Sequence, residues 1–135
     1  MKSTSISIIV AAVIISAALL IVGSGGSGQT TGGNDTSKPS AQNVTVADNV
    51  QTIEIRAKGA YTPRVSIAKA GIPTVLRVNT NGTYDCSAAI RIPSLKIAQM
   101  LPPSGSTDIS LGTQEAGTLR GTCGMGMYNF EIRFQ

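Results

Sequence analysis

The chain has no histidine and no tryptophan among its 135 residues. Without imidazole there is no Ser-His or Cys-His pair for nucleophilic catalysis, and the usual ligand of Zn, Cu(II) and Ni is missing from every possible constellation. Acidic residues are few, seven against eleven Lys and Arg, and Asp85, Asp108 and Glu115 show no spacing that nominates an acid and base couple. An enzyme is not expected. Aromatics make up 4% of the chain and its Lys and Arg are scattered singly, so a nucleic-acid-binding face is not expected either. The net charge of +4 reads as ordinary solvated strand faces, and the length allows one domain with a modest core.

One long hydrophobic run is present. Ile6 to Val22 is uncharged and apolar behind Lys2, about 26 Å long if helical and close to the hydrocarbon thickness of a bilayer. Lys2 precedes it and the next cation is Lys38. That bias places the N-terminus in the cytoplasm and the remainder outside, on the cell membrane as a single-pass protein. A secretory leader has a shorter apolar centre and a small-x-small exit, which Val22-Gly23-Ser24 fits poorly, so an uncleaved anchor is favoured over a removed signal peptide. From Gly23 to Asn43 the sequence is rich in Gly, Ser, Thr and Asn, with no apolar residue able to seed a core. This is a flexible tether with a span of roughly 25 Å.

From Val44 to Gln135 the texture changes to short β-prone runs. They are Thr52 to Ala57, Val65 to Ala68, Thr74 to Asn79, Ala88 to Ile92, Asp108 to Leu111, Thr118 to Cys123 and Tyr128 to Phe134. Alternation is clear where Phe130, Ile132 and Phe134 share one side, and turn residues such as Gly71, Asn81-Gly82, Pro102-Pro103 and Gly117 punctuate the runs. The expectation is an all-β antiparallel, Greek-key sandwich of about seven strands.

The chemistry-bearing segment is Cys123-Gly124-Met125-Gly126-Met127-Tyr128, read against the other cysteine, Cys86. Thiolate and thioether are the soft donors that select Cu(I). In an extended chain the three sulfurs share a side, and the glycines equally permit a loop that wraps a small ion. Cys86 lies in another inter-strand segment and can approach the same end. Two alternatives stand beside this. Paired cysteines outside the cytoplasm are more often a disulfide than a metal site, and methionine is more often core filler than ligand. Met100, among Ile97, Ala98 and Leu101, is read as core, with a place near the site as the alternative.

Several segments together carry a resemblance: Ala60-Tyr61-Thr62-Pro63, Ile67 to Leu76, Cys86 followed by Ile92-Pro93-Ser94-Leu95, and Gly117-Thr118-Leu119 leading into the Cys-x-Met-x-Met segment. Over residues 50 to 135 the chain resembles cupredoxin-like domains of the EfeO type, especially the histidine-less branch of membrane-anchored bacterial Cu(I) chaperones. The resemblance implies copper as Cu(I), one or two ions, held by Cys86 and Cys123 as tight ligands and by Met125 and Met127 as exchangeable ones. It puts Cys86 where blue-copper relatives carry a first histidine, which disfavours a Cu(II)/Cu(I) electron carrier. The expected partners are the membrane and a protein that donates or accepts copper. The alternative function is a disulfide-stapled interaction module.

Overall fold

The structure is a computed structural model that describes residues 39–135. The expected membrane anchor and most of the expected tether lie outside the described residues. Among the described residues no helix is long and apolar enough to cross a membrane.

The described residues form ten strands in chain order: β1 (Val44–Ala47), β2 (Val50–Ala57), β3 (Tyr61–Thr62), β4 (Val65–Ala68), β5 (Pro73–Asn81), β6 (Ala89–Ile92), β7 (Ile97–Met100), β8 (Ser104–Thr113), β9 (Gly117–Cys123) and β10 (Asn129–Phe134). Two 3-10 turns, Cys86–Ala88 and Pro93–Leu95, flank β6. The strands form two sheets, β1-β2-β5-β8 with β3 beside β2, and β4-β10-β9-β6-β7. All seven expected runs are strands, and three more join them.

The expectation of a purely antiparallel sandwich is corrected. β2 pairs with β5 in parallel, and β4 pairs with β10 in parallel. Parallel neighbours need a crossover rather than a hairpin. Here the chain leaves β2, contributes β4 to the opposite sheet and returns as β5, which gives the first of these pairs. Sequential strands pair antiparallel at β1-β2, β2-β3, β6-β7 and β9-β10, and the connections β5 to β6, β7 to β8 and β8 to β9 cross between the sheets. Asp48 and Asn49 join β1 to β2 with φ of 51° and 61°, the left-handed pair that a two-residue hairpin requires and that these short polar side chains tolerate.

Alternation fixes the inner faces. Ile53, Ile55 and Ala57 of β2 and Leu76 and Val78 of β5 point inward from one sheet; Ile90, Ile92, Leu119, Phe130, Ile132 and Phe134 do so from the other. Each fully buried large aliphatic side chain contributes about 1.5–3 kcal/mol relative to exposure. A close packing step crosses β9 and β10, where Gly121 lies opposite Phe130. A Cβ at Gly121 would sit 2.0 Å from Phe130 Cζ, so the glycine is what lets the ring lie flat over the strand and meet Tyr61 edge-on at 5.0 Å. Hydrogen bonding to the domain begins at Ser40, whose N–H and C=O pair with Val65 and Ile67 of β4.

Candidate metal centre

Two connections meet at one pole of the sandwich. The first leaves β5 at Asn81 and crosses to the opposite sheet through Gly82 to Ala88. Its course is set by Thr83, whose hydroxyl donates to the Ala57 carbonyl, and by Asp85. The Asp85 carboxylate accepts from the Ser87 N–H and hydroxyl through one oxygen and from the Gly59 N–H through the other. It caps the 3-10 turn that begins at Cys86. These bonds hold the Asp85 carboxyl below the usual carboxylate range, the Ser87 hydroxyl first, against a smaller opposing effect of desolvation. Beneath the turn the buried Tyr61 hydroxyl donates to the Ser87 carbonyl at 3.2 Å. Burial first, and the Asp85 charge second, raise that phenol well above its ordinary value, so it stays a neutral donor.

The second connection is the β9–β10 loop. Its base closes through Cys123 N–H to the Tyr128 carbonyl at 2.9 Å, and Gly126 N–H returns to the Cys123 carbonyl at 3.0 Å. Gly126 has φ of +74°, a conformation that costs a side-chain-bearing residue but not glycine. The Cys-Gly-Met-Gly-Met segment is thus a wrapped loop rather than an extended strand. It leaves Met125 74% and Met127 60% exposed.

Cys86 and Cys123 meet between these connections. Their Cα atoms are 5.7 Å apart and the sulfurs are joined as a disulfide. Cys123 is fully buried beneath the loop and Cys86 is half-buried. Backbone donors reach both sulfurs: Met125 N–H points at Cys86 Sγ and Tyr128 N–H at Cys123 Sγ, each at 3.5 Å. An N–H aimed at sulfur suits a thiolate, the form in which cysteine ligates metal.

The structure therefore brings Cys86, Cys123 and the Met125–Met127 loop to one pole. Bridge and metal pair were both open in the sequence, and the bridge is the state seen here. Among the described residues no cluster of three His, Cys, Asp or Glu side chains is placed to hold an ion, so the sulfurs are the donor set to consider. Two thiols with two adjacent thioethers fit a soft monovalent ion such as Cu(I) once the bridge is reduced.

Met100 is corrected from core to surface. It is 73% exposed because β7 is an edge strand whose alternation sends the next residue, Leu101, inward instead. Asp85 was not singled out as a site residue, although an Asp two residues before a Ser, just ahead of a turn, is an Asx-turn signal.

The family model for the cupredoxin-like domain matches residues 12–132. The chain belongs to the cupredoxin-like family. Two solved structures share this cupredoxin-like fold. One is the metal-binding domain of the Streptococcus pneumoniae D39 Cu(I)-exporting P-type ATPase CopA with Cu(I). It is 22% identical with a TM-score of 0.62, covering 68% of this chain and 92% of that domain. The other is a copper binding protein solved by NMR in the apo form. It is 19% identical with a TM-score of 0.64, covering 73% of this chain and 97% of that one. No curated protein matches the chain.

Proposed function

We propose that this cupredoxin-like chain captures Cu(I) on the outer side of the cytoplasmic membrane and hands it to another protein. In this reading the Ile6–Val22 segment is the anchor, and the domain belongs with the histidine-less, Cu(I)-handling branch of the family. Cys86 and Cys123 act as thiolates and tight ligands, and Met125 and Met127 as exchangeable ones. The observation that carries the reading is the meeting of two cysteines, 37 positions apart, beside two exposed thioethers at one pole. The copper named for both structural relatives agrees with it.

The chemistry follows from the donor set. Cu(I) is a soft ion that accepts thiolate and thioether, and a d¹⁰ ion has no strong geometric demand. An exposed loop can therefore pass it to an incoming thiolate by exchanging one sulfur at a time. A lasting blue-copper centre is disfavoured, because no imidazole is present to hold Cu(II).

The bridge itself favours a second reading, a disulfide-stapled interaction module in which the methionines only line a loop. A free-thiol count on chain isolated anaerobically separates the two, since two reactive thiols support metal capture and none supports the staple. The direct test is anaerobic Cu(I) titration of the reduced full-length chain in detergent against a competing chelator. Cys86→Ser should abolish the tight phase; tight binding unaltered in that variant ends the proposal.

A further inference from the structure

The domain's three methionines, Met100, Met125 and Met127, are 73%, 74% and 60% exposed, while its core is built from Ile, Leu, Val, Ala, Phe, Tyr and Cys123. Methionine ordinarily fills gaps in cores. Here the described residues put every thioether on the surface, and the strand register sets Met100 of β7 two strands from the end of β9, where the loop carrying Met125 and Met127 begins.

Ile90 of β6 lies opposite Cys123 of β9, and both are fully buried. The neighbouring positions on the same strands therefore face outward. On β6 that position is Ala89, which lies opposite Met100 of β7. Beyond Cys123 it is Gly124, where a Cβ would stand 3.1 Å from the Ala89 Cβ. Gly124, Ala89 and Met100 thus form one row across three chain segments on the outer face. Two strand spacings, about 10 Å, separate the backbone at Met100 from the start of the methionine loop. The residues along that row are a glycine and an alanine, so no bulky side chain in it stands between Met100 and the start of the methionine loop. The Leu101 N–H bond to the Ala88 carbonyl, at 2.7 Å, ties the end of β7 to the same 3-10 turn that carries Cys86.

We infer that Met100, Met125 and Met127 form a thioether-only position for a soft monovalent metal ion, separate from the cysteine pair and usable while Cys86 and Cys123 are joined. A thioether carries no proton to lose and takes no part in the bridge, so this position does not depend on pH or on thiol reduction. It gives the pole an outer landing place, from which the ion reaches the thiolates after the bridge opens. The inference rests on the proposed copper handling for its purpose, but the position itself requires no thiol.

The test uses Ag(I), a soft d¹⁰ monovalent ion that leaves the disulfide intact. The full-length chain in detergent, oxidised and labelled at the methionine methyls, is titrated with Ag(I) and followed by NMR. The Met100, Met125 and Met127 methyl signals should move together in one saturating transition. Met100→Leu keeps the volume at an exposed position, and losing a direct donor should weaken Ag(I) binding about tenfold or more, as even outer-shell losses cost 10–100-fold. A Met100 signal unmoved at saturation, or Met100→Leu titrating like the parent, overturns the inference. Failure of the reduced chain to bind Cu(I) tightly would instead sink the cysteine reading and leave this one standing.

Discussion

Breaking the Cys86–Cys123 bridge should expose how much of the domain's stability depends on that one pole. The bridge joins residues 37 positions apart. In the chain-entropy account, closing a loop of that length removes about 13 cal/mol/K from the unfolded ensemble, or about 4 kcal/mol at 25 °C. For a domain of about a hundred residues, each kcal/mol moves the thermal midpoint by about 4–8 °C, so the reduced, metal-free chain should melt roughly 15–30 °C below the bridged one. After reduction the crossover that carries Cys86 keeps hydrogen bonds but no covalent link, chiefly the Asp85 cap, the Thr83 bond to the Ala57 carbonyl and the Tyr61 hydrogen bond. Cu(I) supplied at about a thousand times its dissociation constant returns about 4 kcal/mol, which should bring the midpoint back near the bridged value. Anaerobic scanning calorimetry of three samples, bridged, reduced and reduced with Cu(I), reads all of this directly. A reduced midpoint within about 5 °C of the bridged one, the worth of one kcal/mol, would refute the claim that the sulfur link holds the pole. A reduced midpoint that Cu(I) leaves unmoved would refute the idea that metal substitutes for the link.

Two further outcomes test the scaffold. Gly121→Ala forces a Cβ into the Phe130 ring and should cost about 1–3 kcal/mol by overpacking; an unchanged urea midpoint would show that the ring does not lie across the strand. Asp85→Ala removes the cap of the cysteine turn and should cost about 0.5–2 kcal/mol near neutrality, at the low end because the carboxylate is exposed and screened. The Asp85 pKa is lowered in the fold from 3.8. Its stabilisation is therefore present above that value and is lost as pH falls through the lower folded one. The stability gap between parent and variant should shrink in acid. Asp108, lowered by its Arg77 partner, is common to both chains and cancels, so a gap that stays constant down to strongly acid pH would contradict the assignment.

Much of the sandwich was legible because period-two alternation survives wherever one strand face is buried. Phe130, Ile132 and Phe134 are an example, and all three are inside. The missed strands lack that contrast. β1 is exposed or half-exposed along its length and turns through Asp48-Asn49 without a glycine, β3 has two residues, and β7 is a four-residue edge. Pairing direction was illegible for a different reason: alternation says which side of a strand is wet, not which strand lies beside it. Met100 misled because its apolar neighbours suggested a core, whereas in a strand the informative residue is the next one, and Leu101 is the one buried. The sulfur-rich loop was legible from its alternating glycines. Its meeting with Cys86 depends on the crossover and on the Asp85 cap, and neither has a periodic signature.

With its thioethers at the surface and its packed interior free of methionine, the domain separates oxidative injury from unfolding. Peroxide that reaches Met100, Met125 and Met127 converts a soft donor into a polar sulfoxide, a lesion that methionine sulfoxide reductases reverse. The hydrocarbon packing beneath loses nothing, so a damaged molecule stays folded and repairable.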